Sequence, residues 1–353
     1  MHYIMNKDTA AIEIETAKIL NWDACPWSLR LSNLTIHKIY KWLMHRALPL
    51  SRKNSEKIYK TVQLSRDNQE LELMYLTHAL SINDNYWVCN DNEISFIKYK
   101  GINLFENSLN SAMYLVALRG IGEFTITDKE ISAEYTGQGT CPKCFVRSSD
   151  GLFIYKSGSI EGIKNELYAC YIAEVLGAKT AHYDYETFNG VQCTKSKICT
   201  GLDNNWETAF ILSEYLTINK YTPQSFAEKY MSIDYANMII LDAIILNSDR
   251  HMKNWSFEFN TNDNKLLGLA LNYDYNNAFS ATAKTLSNLM FEGKNYMNVL
   301  KAGREAYRNI GTTLYIDRLI QVLNSVDIPI NKTAMLNRVK YITGQKDTQR
   351  DCY

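Results

Sequence analysis

Asp249 and Asn254 stand five positions apart in the stretch AIILNSDRHMKNWSFEF, residues 243–259. An aliphatic run stops at Asn247-Ser248 and an aromatic one resumes at Trp255, so a short loop carries both polar side chains. If the loop curls, the two converge on one small volume. An Asp there can orient or deprotonate a hydroxyl. An Asn can offer its carbonyl oxygen to a hard cation. His251 could pin the Asp or bridge to backbone, and Lys253 could face a phosphate. An ordinary polar surface turn would have the same composition, so the loop needs support from elsewhere in the chain. Part of that support is Asp274, which ends the aliphatic stretch LGLALNYDYNNAF, residues 267–279. A strand, an Asp and a tight turn present a carboxylate to a metal-bound phosphate. Asn276 or Asn277 would take the left-handed position often filled by Gly.

The upstream half offers complementary charge. YTGQGTCPK, residues 135–143, is a short loop with Thr136, Gly137, Gly139, Thr140 and Lys143, whose backbone amides could cradle phosphate oxygens. Lys156 closes the apolar run GLFIYKSGS, residues 151–159, where an ammonium can reach phosphates. Glu166 lies near the start of the next helix, placed to hold Lys156 by an ion pair. Singly, each feature has a structural explanation: a strand-ending Lys is usually solvated, and a Glu near a helix start is favoured by the dipole. Their order carries the weight. Glycine loop, strand Lys, helix Glu, Asp-x-x-x-x-Asn and strand-Asp-turn is the order of parts in a two-lobed phosphoryl-transfer enzyme.

The elements that must position these residues follow from periodicity. Residues 1–80 read mostly helical, with Leu34, Ile36, Ile39, Tyr40, Trp42 and Leu43 at helical spacing after Ser32 and Asn33, which could cap, and Gln69–Leu80 as a second helix. The Arg and Lys residues of 46–60 could contact DNA, but a solvated helix face is the preferred reading. Residues 85–99 read as two strands around a turn at Asn90-Asp91-Asn92, with further strands at Gly122–Thr127, Phe145–Val146, 151–159 and 190–200. Asn165–Gly177 is an amphipathic helix with Gly177 as its stop. After residue 202 the chain is mainly helical: Tyr235–Leu246 is a buried helix, Trp255–Phe259 a strand, and residues 265–274 strand-like. The fold class is therefore α+β: a helical N-terminal region over 1–80, a strand-rich part with one helix over 81–200, and a mainly helical part over 201–353.

The chain has 353 residues, 38 Lys plus Arg against 38 Asp plus Glu, and 46% apolar residues, so a sizeable core is available and no net charge favours nucleic acid or an anionic membrane. Asn6, Lys7 and Asp8 interrupt any signal-peptide h-region, and no apolar stretch approaches a membrane span. A cytoplasmic chain with reduced thiols is the expectation, non-classical export remaining open. Cys141-Pro-Lys-Cys144 has the spacing of half a zinc site, but Cys193 and Cys199 are too loosely spaced for the other half, so packing residues on a hairpin are the preferred reading.

DRHMKN with the later NYDYNN resembles the catalytic and metal-binding loops of HipA-like serine/threonine kinases and the related CtkA-type kinases of bacteria. The Asp-Arg-His-x-x-Asn form is shared with phosphatidylinositol kinases. GTCPKCFV and DGLFIYKSGS followed by NELYACYIAEVLG resemble the phosphate loop, ATP lysine and first helix of that family. The resemblance covers about residues 130–330, and LTHALSINDNYWV, residues 76–88, resembles an N-terminal segment of some members. It implies a bilobal protein-kinase-like fold that transfers the γ-phosphate of ATP, with Mg²⁺, to a Ser or Thr hydroxyl of a protein. It implies Asp249 as the catalytic Asp, with His251 beside it. Asn254 and Asp274 become the Mg²⁺ ligands, and Lys156 the ATP lysine with Glu166 its partner. Gly137, Gly139, Thr140 and Lys143 become the phosphate loop, and Thr136 the self-phosphorylated position. Backbone groups of Lys195, Ser196, Lys197 and Ile198 would meet adenine. Members often act as toxins with a DNA-binding antitoxin. This chain departs from the pattern in having Thr for Ser at 136 and no Gly after Asp274. A lipid or small-molecule kinase on the same scaffold, or a non-catalytic nucleotide-binding partner, stays open on these residues.

Overall fold

The computed structural model describes residues 1–62, 64, 68–121, 133–136, 139–279, 289–291, 295–297, 299–326 and 329–345. The chain opens not on a helix but on strands β1 (His2–Asn6), β2 (Thr9–Glu13) and β3 (Lys18–Ile19). The mostly helical reading of residues 1–80 is corrected here: Ile4 and Ile12 are buried from extended backbone. Helices α1 (Ile36–Met44), α2 (Ser55–Thr61) and α3 (Gln69–Leu76) follow. Thr35, not Ser32 or Asn33, caps α1, its hydroxyl accepting the Lys38 N–H at 3.4 Å. Strand β4 (Tyr86–Asn90) pairs with β1, giving the sheet order β3-β2-β1-β4. The second strand expected after Asn90 is absent. Residues 91–98 turn away from β4 into α4 (Tyr99–Ile102), and α5 (Met113–Arg119) follows. The strand expected at Gly122–Thr127 lies outside the described residues.

Strands β5 (Lys143–Ser148) and β6 (Gly151–Ser157) form a tight hairpin, then α6 (Ile160–Leu176) runs from a Ser159 cap to Gly177. This helix begins five residues earlier than its apolar periodicity suggests, because Ser159 accepts the Gly162 N–H at 3.0 Å. Gly177 sits at φ +70°, where a Cβ would fall 2.6 Å from the Tyr315 ring, so the left-handed stop also fits only a glycine. Strands β7 (Asp184–Phe188) and β8 (Val191–Lys197) complete an antiparallel sheet in the order β5-β6-β8-β7. Next come β9 (Asn204–Thr208), α7 (Ala209–Ile218), α8 (Pro223–Tyr230) and α9 (Ser232–Ile245). Strands β10 (Ser256–Asn260) and β11 (Leu266–Leu269) join β9 in the order β11-β10-β9. A β12 (Leu289–Phe291) and β13 (Asn295–Met297) hairpin precedes α10 (Val299–Asn309), α11 (Ile316–Ser325) and α12 (Lys332–Ile342).

Chain contacts define two compact units, one of residues 1–158, 184–207 and 258–267, the other of 159–183, 208–257 and 268–353. Boundaries at 80 and 200 do not coincide with these: residues 1–158 stay together, and α6 groups with the later helices. In the first unit, the basic stretch 46–60 is only partly a solvated face. Arg46 is buried against Asp84 at 2.6 Å, and Arg52 is buried among backbone carbonyls. In the second unit, α6 and α9–α12 bury one aliphatic core around Ile172, Leu176, Ile240, Ile244, Leu300 and Ile342. Gly303 of α10 lets that helix approach α9, since a Cβ there would stand 2.4 Å from the Ala243 Cβ. Among the described residues no helix is long and apolar enough to cross a membrane.

Candidate active site

Helix α9 buries nearly every side chain of its second half, including Asp242, which is wholly inaccessible. A carboxylate in such a place requires a paired cation. Arg250 provides it: its Nε lies 2.9 Å from Asp242 Oδ2 and its Nη2 3.1 Å from Oδ1. Burial alone would lower the guanidinium's pKa, but Asp242 outweighs it and holds the arginine above its ordinary value. The remaining donor, Nη1, reaches the backbone oxygens of Asn254 at 2.5 Å and Tyr273 at 2.7 Å. The Tyr275 ring lies 5.4 Å from the guanidinium carbon. One buried arginine therefore ties the 247–254 loop to the segment that enters Asp274.

The loop itself is closely bonded. Leu246 takes a left-handed conformation at φ +50°, unusual for a branched residue, and turns the chain out of α9. Asn247 Nδ2 donates to Asp242 Oδ1 at 2.9 Å. Asn254 Nδ2 donates to the backbone oxygen of Asp249 at 2.8 Å, closing the loop and leaving its own Oδ1 as an oxygen donor. Asn277 Nδ2 donates to Asp249 Oδ2 at 2.9 Å. His251 Nδ1 accepts the Lys253 N–H at 3.2 Å, so the neutral ring carries its proton on Nε2, which lies 3.8 Å from Asp249 Oδ1. The Lys253 ammonium sits 4.8 Å from the centre of the Phe210 ring.

Asp274 departs from expectation in its backbone. The left-handed residues of this turn are Asp274 itself, at φ +63°, and Phe279, while Asn276 and Asn277 have ordinary φ. Asn277 is thereby released to hold Asp249, and Asn276 to accept the Asn165 amide at 3.2 Å through its backbone oxygen. The Asp274 N–H donates to the Tyr183 hydroxyl at 3.2 Å. Burial first, and then the negative charge of Glu166, keep that hydroxyl protonated far above its usual range. Buried Glu166 is in this way electrostatically close to the residue that holds Asp274.

The first unit carries the phosphate-loop candidates. Lys143 and Lys156 are directly opposed across β5 and β6, hence on one face of the sheet. A Cβ on Gly139, at φ +96°, would stand 3.0 Å from Lys143 Nζ, so the glycine brings bare backbone up to that ammonium. Arg52 fixes the approach to this loop: it donates to the backbone oxygens of Glu134, Thr136 and Lys143 at 3.2, 3.3 and 2.5 Å. Burial, partly opposed by Glu134, lowers its pKa to about 10. Thr136 is buried, its hydroxyl donating to the Ala133 oxygen at 3.0 Å, and Thr140 is exposed. Gly137 lies outside the described residues. Lys195 and Ser196 stand within β8, their backbones in the ladder with β6. Lys195 shares the face of Tyr155, opposite to that of Lys156, and its ammonium meets Glu186 at 3.1 Å and the Phe153 ring at 4.8 Å. Lys197 packs at the β5–β6 turn beside Gly151, and the Ile198 N–H donates to the Leu152 oxygen at 2.8 Å.

Within the second unit the structure thus brings together Asp249, His251 and Asn254, with Asp274 joined through Arg250 and Tyr183. Within the first it brings together Gly139, Lys143 and Lys156. Asp242, Arg250, Asn277, Tyr183 and Arg52 were missed as site residues. Asp242 left a trace in the sequence as a lone carboxylate in an aliphatic run, and Arg250 as part of the DRHMKN stretch eight residues on. Cys144 is buried in an apolar cluster with Cys193, and burial pushes both thiols upward, as packing residues require.

No family model matches the chain, and no curated protein matches it. Among solved structures, HipA of Shewanella oneidensis MR-1, in the toxin–antitoxin complex with HipB and operator DNA, is similar over 98% of this chain and 96% of its own, at TM-score 0.56 and 12% identity. The Helicobacter pylori proinflammatory kinase CtkA matches 59% of this chain and 92% of its own, at TM-score 0.45 and 16% identity. The likeness to HipA extends over nearly the whole of both chains and defines the fold as a mixed α and β architecture of HipA type.

Proposed function

We propose that the chain is an ATP- and Mg²⁺-dependent serine/threonine protein kinase of HipA/CtkA type. The observation that carries this reading is the buried Arg250, which clamps the loop of Asp249 and Asn254 to the segment entering Asp274. An ordinary surface turn has no need of a desolvated guanidinium fixing two backbones at once. The HipA-like fold supports the same reading.

In this account Asp249, held at Oδ2 by Asn277, orients the substrate hydroxyl and accepts its proton. The substrate oxygen forms a bond to the γ-phosphorus while the bond from phosphorus to the bridging oxygen breaks and ADP leaves. Asn254 Oδ1 and the Asp274 carboxylate form an all-oxygen donor set, which is what Mg²⁺ takes. When bound, the ion supplies neutralisation of phosphate charge. Lys143 and Lys156, on one sheet face, are assigned to the phosphates of ATP, together with Thr140 and the Gly139 backbone beside the Lys143 ammonium. Glu166 is assigned to support Lys156. Adenine contacts are assigned to backbone groups of Lys195, Ser196, Lys197 and Ile198, at the end of β8.

Thr136 is proposed as a self-phosphorylation position. Its hydroxyl is buried, so phosphorylation requires this segment to leave its place, and the resulting dianion would disfavour its return. The HipA structure is a complex with HipB and operator DNA. A DNA-binding antitoxin partner is proposed for this chain by that likeness. Incubation with ATP and Mg²⁺ followed by peptide mass mapping tests the reading: phosphate on Ser or Thr of an added protein, and on Thr136, is expected. Phosphate on a lipid or small metabolite alone would move the assignment to another kinase class.

A further inference from the structure

Cys170, Glu174 and His182 have no part in the candidate active site described above and are the only His, Cys or carboxylate group of three among the described residues whose donor atoms converge, all within 4.8 Å of one another. Cys170 and Glu174 are one turn apart on α6, and His182 comes back to them on the connection toward β7. Cys170 Sγ is 3.5 Å from Glu174 Oε1, and His182 Nδ1 contacts that same oxygen. The thiol is buried while the Glu and His are exposed, so the soft donor lies beneath two polar surface side chains.

We propose that these three side chains form a binding site for a borderline transition-metal ion of the Zn²⁺ type. Without an ion, a Glu–His pair and an S–H···O bond hold the three side chains together; what points to a metal is that thiol, carboxylate and imidazole donors all converge within 4.8 Å. With metal–sulfur and metal–oxygen bonds of about 2.3 and 2.0 Å, a tetrahedral ion separates S and O by about 3.5 Å. The distance in the structure has that value. The helix register fixes Cys170 and Glu174, and the thiol also meets the Ala181 oxygen at 3.6 Å, which holds the connection carrying His182. Thiolate, imidazole and one carboxylate disfavour Mg²⁺ and Ca²⁺, and three protein ligands leave a fourth position for water. On binding, the Cys170 thiol loses its proton to solvent and the sulfur coordinates as thiolate. His182 precedes Tyr183, whose hydroxyl accepts the Asp274 N–H, so an ion here would stiffen the segment that supports Asp274.

The site is tested on the full chain, stripped with chelator and titrated with Zn²⁺ and Co²⁺ without nucleotide. The expected result is one ion per chain and a thiolate-to-cobalt charge-transfer band in the near ultraviolet. His182→Asn and Glu174→Gln, both at exposed positions, should each weaken Zn²⁺ binding by about tenfold or more, and Cys170→Ser should remove the band. An unchanged affinity in His182→Asn, a band that persists in Cys170→Ser, or no band at all would overturn the proposal. The readout is metal binding itself, so it stands or falls separately from the kinase reading.

Discussion

Arg250 spends its side chain on four partners: a buried carboxylate, two backbone oxygens and an aromatic face. Removing it would leave the wholly buried Asp242 without its cation. Arg250→Ala is therefore expected to cost about 3–5 kcal/mol of folding stability, read from denaturant midpoints, whereas a surface arginine would cost almost nothing. Asn277 acts at the opposite extreme. It is exposed and gives one hydrogen bond to Asp249 Oδ2, so Asn277→Ala should leave stability unchanged while lowering kcat about tenfold with little effect on KM for ATP. A loss confined to KM would show that Asn277 does not position Asp249. His251 bonds to the Lys253 backbone and stands beside Asp249, and His251→Ala should weaken phosphoryl transfer less than Asp249→Ala does.

The elements that position these residues differ in how plainly the chain announces them. Helix α6, its Gly177 stop, the strand around Lys156 and the buried helix before Asp249 all follow from local periodicity and punctuation. Strands β1–β3 do not: β2 and β3 are short and pair only within this meander, and the other edge of β1 is filled by β4 some eighty residues away, which no local window contains. The turn after Asp274 was legible as a turn but not in its detail: a left-handed residue was required, and packing assigned it to Asp274 rather than to either asparagine. The arginine clamps were hidden for a related reason. A basic run reads alike whether solvated or buried, and only tertiary contacts separate Arg52 from Lys53. Packing between α9 and α10 offers a direct check, since Gly303→Ala would place a methyl 2.4 Å from Ala243. That overpacking should cost about 1–3 kcal/mol, visible as a lower Tm. An unchanged Tm would mean that the two helices are not in this close contact.

At the scale of the molecule, a HipA-like fold spans nearly the whole chain, and opposite charges balance to zero. Balanced charge fits recognition by shape and by a few placed groups better than recognition by a long-range field. If Asn254 and Asp274 serve as the oxygen ligands, removal of Mg²⁺ with EDTA should abolish phosphoryl transfer and its return should restore it. The most direct measurement is transfer of labelled phosphate from ATP in the presence of Mg²⁺, comparing the purified chain with Asp249→Ala and Asp274→Ala, each verified as folded by its unfolding transition. The account predicts label on Ser or Thr with the native chain and none above background with either variant. Equal labelling by a folded Asp249→Ala chain, or no transfer by the native chain to any protein including itself, would contradict it.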